Sequence, residues 1–412
     1  MNKKNTSTLL LYVCLLSAAG AFAQNPAIDS LKKKLATSKA DTGRINILTQ
    51  LGSACYTARD YKCTGHYGQL ALELAQKLKY KKGEAAAFGL IGRYHYKNNR
   101  DTAALGYFTP ALKINLELGD PNETGQSYID IAGPYYQMGN YSEALKYSYL
   151  SLKMYEQARN IKRTGYVWMR IGIVQYYLKS YPESLAAFEE ALQFAKQSED
   201  KSSEAFAIKN IGVIYFIQAE TAFASKDTLG TLKKCEASIA NYIAALKIYE
   251  KQGDGYGMME TYHPLGNSYE KIAAIAKSRN NTGEAAKNTA LALENFLAFL
   301  HGAEKFNDRN YISEAHYALG SLFLKQKNTT TAEKHLKKGL QIAIDIAMKG
   351  DIKIGYCHLA DLYSNTGDYK QAFNYHKLCA SYSDSLVNDE NKKKALQTQM
   401  NYEVEKKEDE LK

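Results

Sequence analysis

The side chains that most often carry catalysis are present in this chain, but none of them stands at a catalytic spacing. The eight histidines, among them His95, His263, His358 and His376, form no HExxH-like motif and no other paired metal-ligand spacing. No serine stands in a nucleophile-elbow sequence, and no carboxylate pair stands out from the charged faces. We therefore predict a protein that is not an enzyme and that binds no metal or other cofactor.

One glycine-rich stretch resembles a phosphate-binding loop. Gly253-Asp254-Gly255-Tyr256-Gly257 lacks the lysine and the hydroxyl that hold a phosphate, and it follows a helical pattern rather than a strand. Gly119-Asp120 and Gly350-Asp351 stand at the corresponding place of other repeat units, described below. The stretch is therefore interpreted as a turn between helices.

Residues 1–23 have the pattern of a cleavable export signal. Lys3 and Lys4 precede an apolar run, and the segment ends on Ala21-Phe22-Ala23 before Gln24. The apolar run is shorter than the roughly 20 residues that a membrane-spanning helix needs, and no later stretch of the sequence is apolar enough to span a bilayer. We expect cleavage after Ala23 and a periplasmic or secreted, soluble chain.

The charge pattern argues against a nucleic-acid partner. The formal net charge is +10, and the predicted cleavage removes two of the lysines. Carboxylates are spread along the whole chain, so lysine clusters such as Lys32-Lys33-Lys34 and Lys392-Lys393-Lys394 are interpreted as solvated helix faces.

Only six of the 412 residues are prolines, which indicates helices, and no linker divides the chain. A helical repeat array fits this length best.

An apolar residue followed by a small one recurs along the chain, mostly every 40 residues and twice after 54. The eight pairs are Leu51-Gly52, Ile91-Gly92, Ile131-Ala132, Ile171-Gly172, Ile211-Gly212, Leu265-Gly266, Leu319-Gly320 and Leu359-Ala360. Each unit has a second small residue further on, namely Thr64, Ala104, Ala144, Ser184, Ser238, Ala292, Ala332 and Ala372. Two antiparallel helices approach closely only where both lack bulk, so each unit is predicted to be a helical hairpin that crosses at these two positions.

The sequence also predicts where the two helices of several hairpins are joined. Gly139 and Gly367 are predicted to end first helices in the left-handed conformation. The segments that start at Asn140, Ser180 and Asp368 read as capping boxes that open second helices.

The combined pattern, Leu/Ile-Gly-x-x-Tyr, then Gly-Asp/Asn-Tyr-x-x-Ala, then Ala-Leu, resembles the tetratricopeptide repeat over residues 42–385. The resemblance implies an all-α fold, a right-handed α-solenoid of about eight helical hairpins. A lead helix at 24–41 would precede it and a charged, extended C-terminal helix at 386–412 would follow it. The 40-residue period exceeds the family's usual ~34, which implies helices about three residues longer.

Two adjacent units, near residues 205–252 and 259–305, carry 14 additional residues each. Split evenly, this adds about seven residues to each helix, so we expect both hairpins to project roughly 10 Å beyond their neighbours. Phe223, Ile272 and Ile275 would pack between them. The alternative interpretation is a neutral loop extension.

In tetratricopeptide proteins the first helix of each pair lines a concave groove. The resemblance therefore implies a ladder of aromatic residues in that groove, one per unit: Tyr56, Tyr96, Tyr136, Tyr176 and Phe216. Such a ladder would bind an extended peptide or protein segment, with Arg93, Arg170 and Lys209 as candidate partners for its carboxylates. The alternative is that tyrosine is merely the family's common residue at this position.

The resemblance also places cysteines opposite one another. Cys55 with Cys63, and Cys357 with Cys379, would face each other across single hairpins, where an oxidising compartment permits disulfides. We expect instead that they act as small apolar filler. Cys235 has no evident partner.

The C-terminal segments resemble a junction known from bacterial sensors. Tyr369-Lys370-Gln371-Ala372, residues 381–386 and Tyr402-Glu403-Val404-Glu405-Lys406-Lys407-Glu408 are similar to the place where a tetratricopeptide ectodomain continues through a helical stalk toward a histidine kinase or regulator. The resemblance implies the ligand-sensing or adaptor part of a signal-transduction system, with a membrane-bound sensor or regulator as partner. The alternative is a non-sensing structural scaffold of an envelope complex.

Overall fold

The computed structural model describes residues 26–386. The predicted export signal and the predicted tail helix beyond residue 386 lie outside these residues. Within the described range the regular secondary structure is entirely helical.

The helices are numbered here in chain order. They are α1 (Pro26–Thr37), α2 (Thr42–Thr57), α3 (Tyr61–Lys77), α4 (Lys81–Lys97), α5 (Asp101–Leu118), α6 (Pro121–Met138), α7 (Tyr141–Gln157), α8 (Ile161–Tyr177), α9 (Tyr181–Gln197), α10 (Lys201–Ala224), α11 (Thr228–Gln252), α12 (Gly255–Ser278), α13 (Thr282–Lys305), α14 (Arg309–Lys325), α15 (Thr329–Asp345), α16 (Lys349–Thr366) and α17 (369–386).

From α2 onward the helices pair as eight hairpins, as the repeat predicts. The chain divides into two compact units, Met1–Met154 and Tyr155–Lys412. The first unit holds α1 and three hairpins up to Met154 in α7, and the second holds the end of α7 and the last five hairpins. The all-α fold built from about eight tetratricopeptide-type hairpins is confirmed.

Every turn from α2 to α17 has a residue with positive φ just before the next helix. Gly139 and Gly367 are two of these residues, both at φ +81°, so the prediction for them is confirmed. Asn140 and Asp368 accept the backbone N–H three residues later, as a capping box requires. The same prediction for Ser180 is wrong, because its side chain makes no cap hydrogen bond. The first turn of α9 contains a proline.

The predicted close crossing of the two helices in each hairpin is confirmed. Ser184 donates to the carbonyl of Gly172 at 2.8 Å, and Ser238 donates to the carbonyl of Gly212 at 2.9 Å, each across its own hairpin. An aromatic ring of the second helix also covers the glycine of the first: a Cβ added to Gly172 would lie 2.8 Å from the ring of Phe188. Each hairpin therefore has its own interlocked core.

Within each unit, consecutive hairpins share apolar clusters. Ala292 and Phe296 of α13 pack with Leu319 and Leu322 of α14, and all four side chains are buried. Stacking therefore buries the apolar face that a single hairpin would leave in water.

The 14 additional residues of each long unit lengthen helices rather than loops. Helices α10 to α13 have 24, 25, 24 and 24 residues, against 17 in α14 and α15. Ile272 and Ile275 are buried at this extension, whereas Phe223 stays 45% exposed. The ammonium of Lys271 lies 4.2 Å from the centre of the Phe223 ring and covers it.

Candidate binding groove

In the first unit, a cavity of about 330 Å³ is lined by the first helices α2, α4 and α6 together with the second helix α5. An ion pair at this cavity joins α4 to α6: Arg93 Nη2 lies 2.7 Å from Asp130 Oδ2, and Arg93 Nε donates to Oδ1 at 3.1 Å. The Gln126 amide also donates to Asp130 Oδ1. The bidentate geometry holds the two first helices in a fixed register.

In the second unit, ion pairs link consecutive first helices in the same manner. Between α10 and α12 they are Lys209–Glu260 and Glu220–Lys271, each at 2.8 Å. Between α12 and α14 the ion pair is Glu270–Lys325 at 2.6 Å, and His263 Nδ1 also lies 2.9 Å from Glu314 Oε1. These pairs tie one hairpin to the next along the face that the first helices form.

Glu260 has partners on two other first helices. One oxygen accepts from Lys209, and the other accepts from the hydroxyl of Tyr311 on α14 at 2.9 Å. Burial, followed by the charge of Glu260, raises the pKa of Tyr311 far above its ordinary value, so this hydroxyl stays protonated and donates. Glu260 thus connects three consecutive first helices.

The predicted aromatic ladder lies near the turns of the hairpins. Ring contacts of about 6 Å join Tyr56 to Tyr61, Tyr136 to Tyr141 and Tyr176 to Tyr181, each between a first helix and the start of the second. Tyr96 and Phe216 are, like the other three ladder residues, half-buried on first helices. Tyr96 lies against Gly133 of α6, where an added Cβ would meet its ring at 3.2 Å. The ladder residues therefore have structural contacts, and a ligand contact for them stays a prediction.

The three predicted carboxylate partners have different surroundings. Arg93 and Lys209 are both occupied by carboxylates of neighbouring helices in this chain, and Lys209 is only 8% exposed. Arg170 is half-buried on α8. Sequence reasoning identified the cations but missed Asp130 and Glu260, because those partners are 37 and 51 residues away along the chain. Their ligand-binding role stays a prediction.

The second unit has a larger cavity, of about 1430 Å³, that the sequence did not indicate. It lies beside the lengthened part of α12 and α13 and includes Phe216 among its lining residues. The sequence feature that could have located this cavity is the change in repeat length from 54 residues back to 40.

The cysteine prediction requires a correction. Cys55 is bonded to Cys63, and Cys357 to Cys379, so these four residues are disulfides and not apolar filler. The Cα atoms are 5.7 and 5.3 Å apart, a normal separation for a disulfide, because the hairpin crossing brings the two helices close. Cys235 is a buried free thiol, and burial raises its pKa to about 12.

Among residues 26–386, no three His, Cys, Asp or Glu side chains group as a metal site would require. No helix in the same range is both long and apolar enough to cross a membrane.

The stacked hairpins, their glycine crossings and their groove-facing first helices define a tetratricopeptide-type helical repeat protein. Neither a protein-family model nor a curated protein matches the sequence. Solved structures do match the fold. The tetratricopeptide-sensor signal transduction ATPase of Pyrococcus horikoshii aligns at 18% identity and a TM-score of 0.59, over 95% of this chain and 55% of that one.

Two further structures are Rap-type proteins. The Rap conjugation gene regulator of plasmid pLS20, in complex with the Phr* peptide, aligns at 12% identity and a TM-score of 0.50, covering 88% of this chain and 95% of that chain. The aspartyl phosphate phosphatase F of Bacillus subtilis aligns at 14% identity and a TM-score of 0.53, covering 77% and 75%. At these identities the similarity establishes the fold.

Proposed function

We propose that this protein is an extracytoplasmic binding module whose first helices hold a peptide or protein segment, and that it is the ligand-sensing or adaptor part of a signal-transduction system. The observation that carries the proposal is the arrangement of the first helices. Within each unit they are tied to one another by ion pairs, Arg93–Asp130 in the first and Lys209–Glu260 in the second, and each unit has an open cavity beside them. A pre-formed groove of this kind, with both polar and apolar groups in its lining, suits an extended chain better than a small substrate.

Binding would act by shifting populations rather than by a reaction. A segment that contacts several first helices favours one spacing of consecutive hairpins over others, and the terminal helix transmits that preference to a partner. The similar structures support this mechanism, because one holds a peptide and another is described as a sensor.

Two features support an extracytoplasmic location. Residues 1–23 have the pattern of an export signal. Two of the hairpins contain disulfides, which persist in oxidising compartments and are rare in the cytosol. Mass spectrometry of the protein from a cell-envelope fraction should give a chain that begins at Gln24, and a chain that keeps residues 1–23 in the cytosol would contradict this part of the proposal.

Site-specific photo-crosslinking tests the groove. A benzophenone amino acid in place of Phe216, which lines the large cavity, is expected to capture a partner that mass spectrometry can identify. The matched control replaces Ile243, which is 37% exposed on the second helix α11. Three results would contradict a binding function for the groove. They are adducts at position 243 alone, equal adducts at both positions, and no adduct at position 216.

The alternative is a scaffold that organises an envelope complex without sensing. A scaffold would give the same adduct in all growth conditions, and its loss would change assembly but not gene expression. A sensor would give an adduct whose amount changes with the inducing condition, together with a change in a regulated output.

A further inference from the structure

The large cavity of the second unit exists because two long hairpins are followed by shorter ones. Its wall consists of Ala273, Ala274 and Lys277 from the end of α12, with Ala285 and Thr289 from the start of α13. Its floor is formed around the turn between α14 and α15 and by α16. Since α12 and α13 are about seven residues longer than α14 and α15, their ends stand roughly 10 Å above that turn. We call this cavity the step cavity.

The wall of the step cavity is packed firmly against the preceding hairpin. Ala219, Cys235 and Ile272 form a buried cluster between α10, α11 and α12. The ion pair between Lys271 and Glu220 fastens the same region. The extension is therefore a pre-formed surface that pays little ordering entropy when a ligand binds.

The dimensions of the step cavity suit a peptide. Its volume of about 1430 Å³ exceeds that of an ordinary small-molecule pocket, which is roughly 300–1,000 Å³. Its lining includes residues of four consecutive first helices, α10, α12, α14 and α16. At a spacing of roughly 10 Å between neighbouring helices, these span about 30 Å, or about nine residues of extended chain.

The lining of the step cavity has more lysines than carboxylates. It contains the lysines Lys271, Lys277, Lys325 and Lys327 and the carboxylates Glu220, Glu270 and Asp361. Two of the lysines are neutralised by Glu220 and Glu270. Among the described residues, Lys277, Lys327 and Ser321 have side chains with no hydrogen bond or ion pair, and all three line the cavity.

From these two unpaired lysines, which stand against the single unpaired carboxylate of Asp361, we infer that the step cavity binds an acidic peptide segment in extended form. Its Asp or Glu carboxylates lie between Lys277 and Lys327, and its backbone carbonyls accept from donors such as Ser321. The small side chains of the wall, Ala273 and Ala274, leave room for the peptide backbone. This inference rests on the proposed function and assigns the site and the chemical class of its ligand.

The experiment uses the full mature chain, immobilised, and three equimolar pools of synthetic nonapeptides with acetylated and amidated ends. The pools are matched in apolar content and differ only in whether three positions are Asp/Glu, Asn/Gln or Lys/Arg. The blocked ends ensure that only side-chain carboxylates supply negative charge. Retained peptides are counted by mass spectrometry against blank resin.

Two pairs of variants accompany the wild type. Ala274→Trp fills the step cavity, and its control Ala286→Trp places the same bulk on the exposed side of α13. Lys277→Gln with Lys327→Gln removes the unpaired charges, and Lys247→Gln with Lys287→Gln makes the same charge change at exposed lysines outside the cavity. Circular dichroism and thermal unfolding establish that all variants fold.

The expected result is selective retention of the acidic pool by the wild type. Ala274→Trp should abolish that retention, and the Lys277/Lys327 double variant should weaken it about tenfold, since each exposed charge pair contributes up to about 0.7 kcal/mol. Both controls should bind like the wild type. The step-cavity assignment would be overturned if the wild type bound peptides without preference for the acidic pool, or if binding survived Ala274→Trp. Either result would leave the proposed peptide-binding function standing. Retention of no pool by the wild type would overturn both this inference and the proposed function.

Discussion

Lys209 and Glu260 join two long first helices that are consecutive in the repeat array, with Nζ and Oε2 2.8 Å apart. The lysine is 8% exposed, and the carboxylate also accepts from Tyr311 of the following hairpin. A charge buried to this degree is stable only while its partner is present. The pair therefore fixes how three hairpins stack, and it does so at the groove face.

Removing this cation should destabilise the second unit. We expect Lys209→Met to lower the free energy of unfolding by about 1–3 kcal/mol, because Glu260 is left partly buried without its counter-ion. Urea denaturation measures the effect, and adding Glu260→Gln should recover part of it. Lys201→Met is the matched control, since Lys201 pairs with Glu204 within one helix and is largely exposed, so its loss should cost less than about 1 kcal/mol. Equal losses for both variants would contradict a structural role for Lys209.

The glycine at the hairpin crossing should not tolerate a side chain. A Cβ on Gly92 would lie 2.4 Å from the ring of Phe108, so Gly92→Ala should destabilise the second hairpin by about 1–3 kcal/mol. Gly106 is the control, because it is helical in α5 with nothing within 4 Å of an added Cβ. There, alanine should stabilise by about 0.5–1 kcal/mol, since it restricts the unfolded chain. Thermal unfolding should therefore show shifts of opposite sign.

The two disulfides should be detectable by a thiol count and by their effect on stability. Denatured but unreduced chain from residue 24 onward should expose one thiol, that of Cys235. Replacing Cys357 and Cys379 by alanine should cost about 2–4 kcal/mol, somewhat more than replacing Cys55 and Cys63, because the closed loop is longer. Cys235→Ala should leave the response to reductant unchanged. Five titratable thiols would contradict the assignment.

Stability should fall in mildly acidic solution because of a histidine pair in which His316 is buried. His316 Nδ1 and His335 Nδ1 are 2.9 Å apart, and His316 is 3% exposed. Burial, followed by the Lys338 ammonium and His335, lowers the pKa of His316 to about 4. The unfolded chain therefore binds the proton more tightly than the folded chain, so the stabilising contribution is complete above pH ~6.5 and is lost as the pH falls toward 4.

We expect a loss of roughly 1–3 kcal/mol between pH 7 and pH 4.5 from this site. Urea midpoints across that range measure it. The test is the difference between the wild type and His316→Gln, with exposed His301→Gln as control. If both variants keep the wild-type pH dependence, the histidine pair is not its source.

The sequence by itself determined the repeat and therefore the fold. A small residue recurs mostly at 40-residue intervals, and a second small residue follows in each unit. This pattern predicts two helices that cross closely at the small residues, and the hydrogen bond from the Ser238 hydroxyl to the Gly212 carbonyl shows this contact. Gly139 and Gly367 marked two turns for the same reason, because glycine adopts positive φ without strain. At other turns, residues such as Arg59 and Ala347 take the same conformation, which their types do not reveal.

Only the tertiary structure decided how the candidate groove is built. Ion pairs such as Arg93–Asp130 join residues one repeat apart, and a periodic sequence offers many charges at such distances. The disulfides likewise depended on the geometry of single hairpins, which spacing alone left open. The step cavity arises from the difference in height between neighbouring hairpins. Local pattern fixes each hairpin, whereas contacts between hairpins depend on where their surfaces meet in space, and that information is not contained in any one repeat.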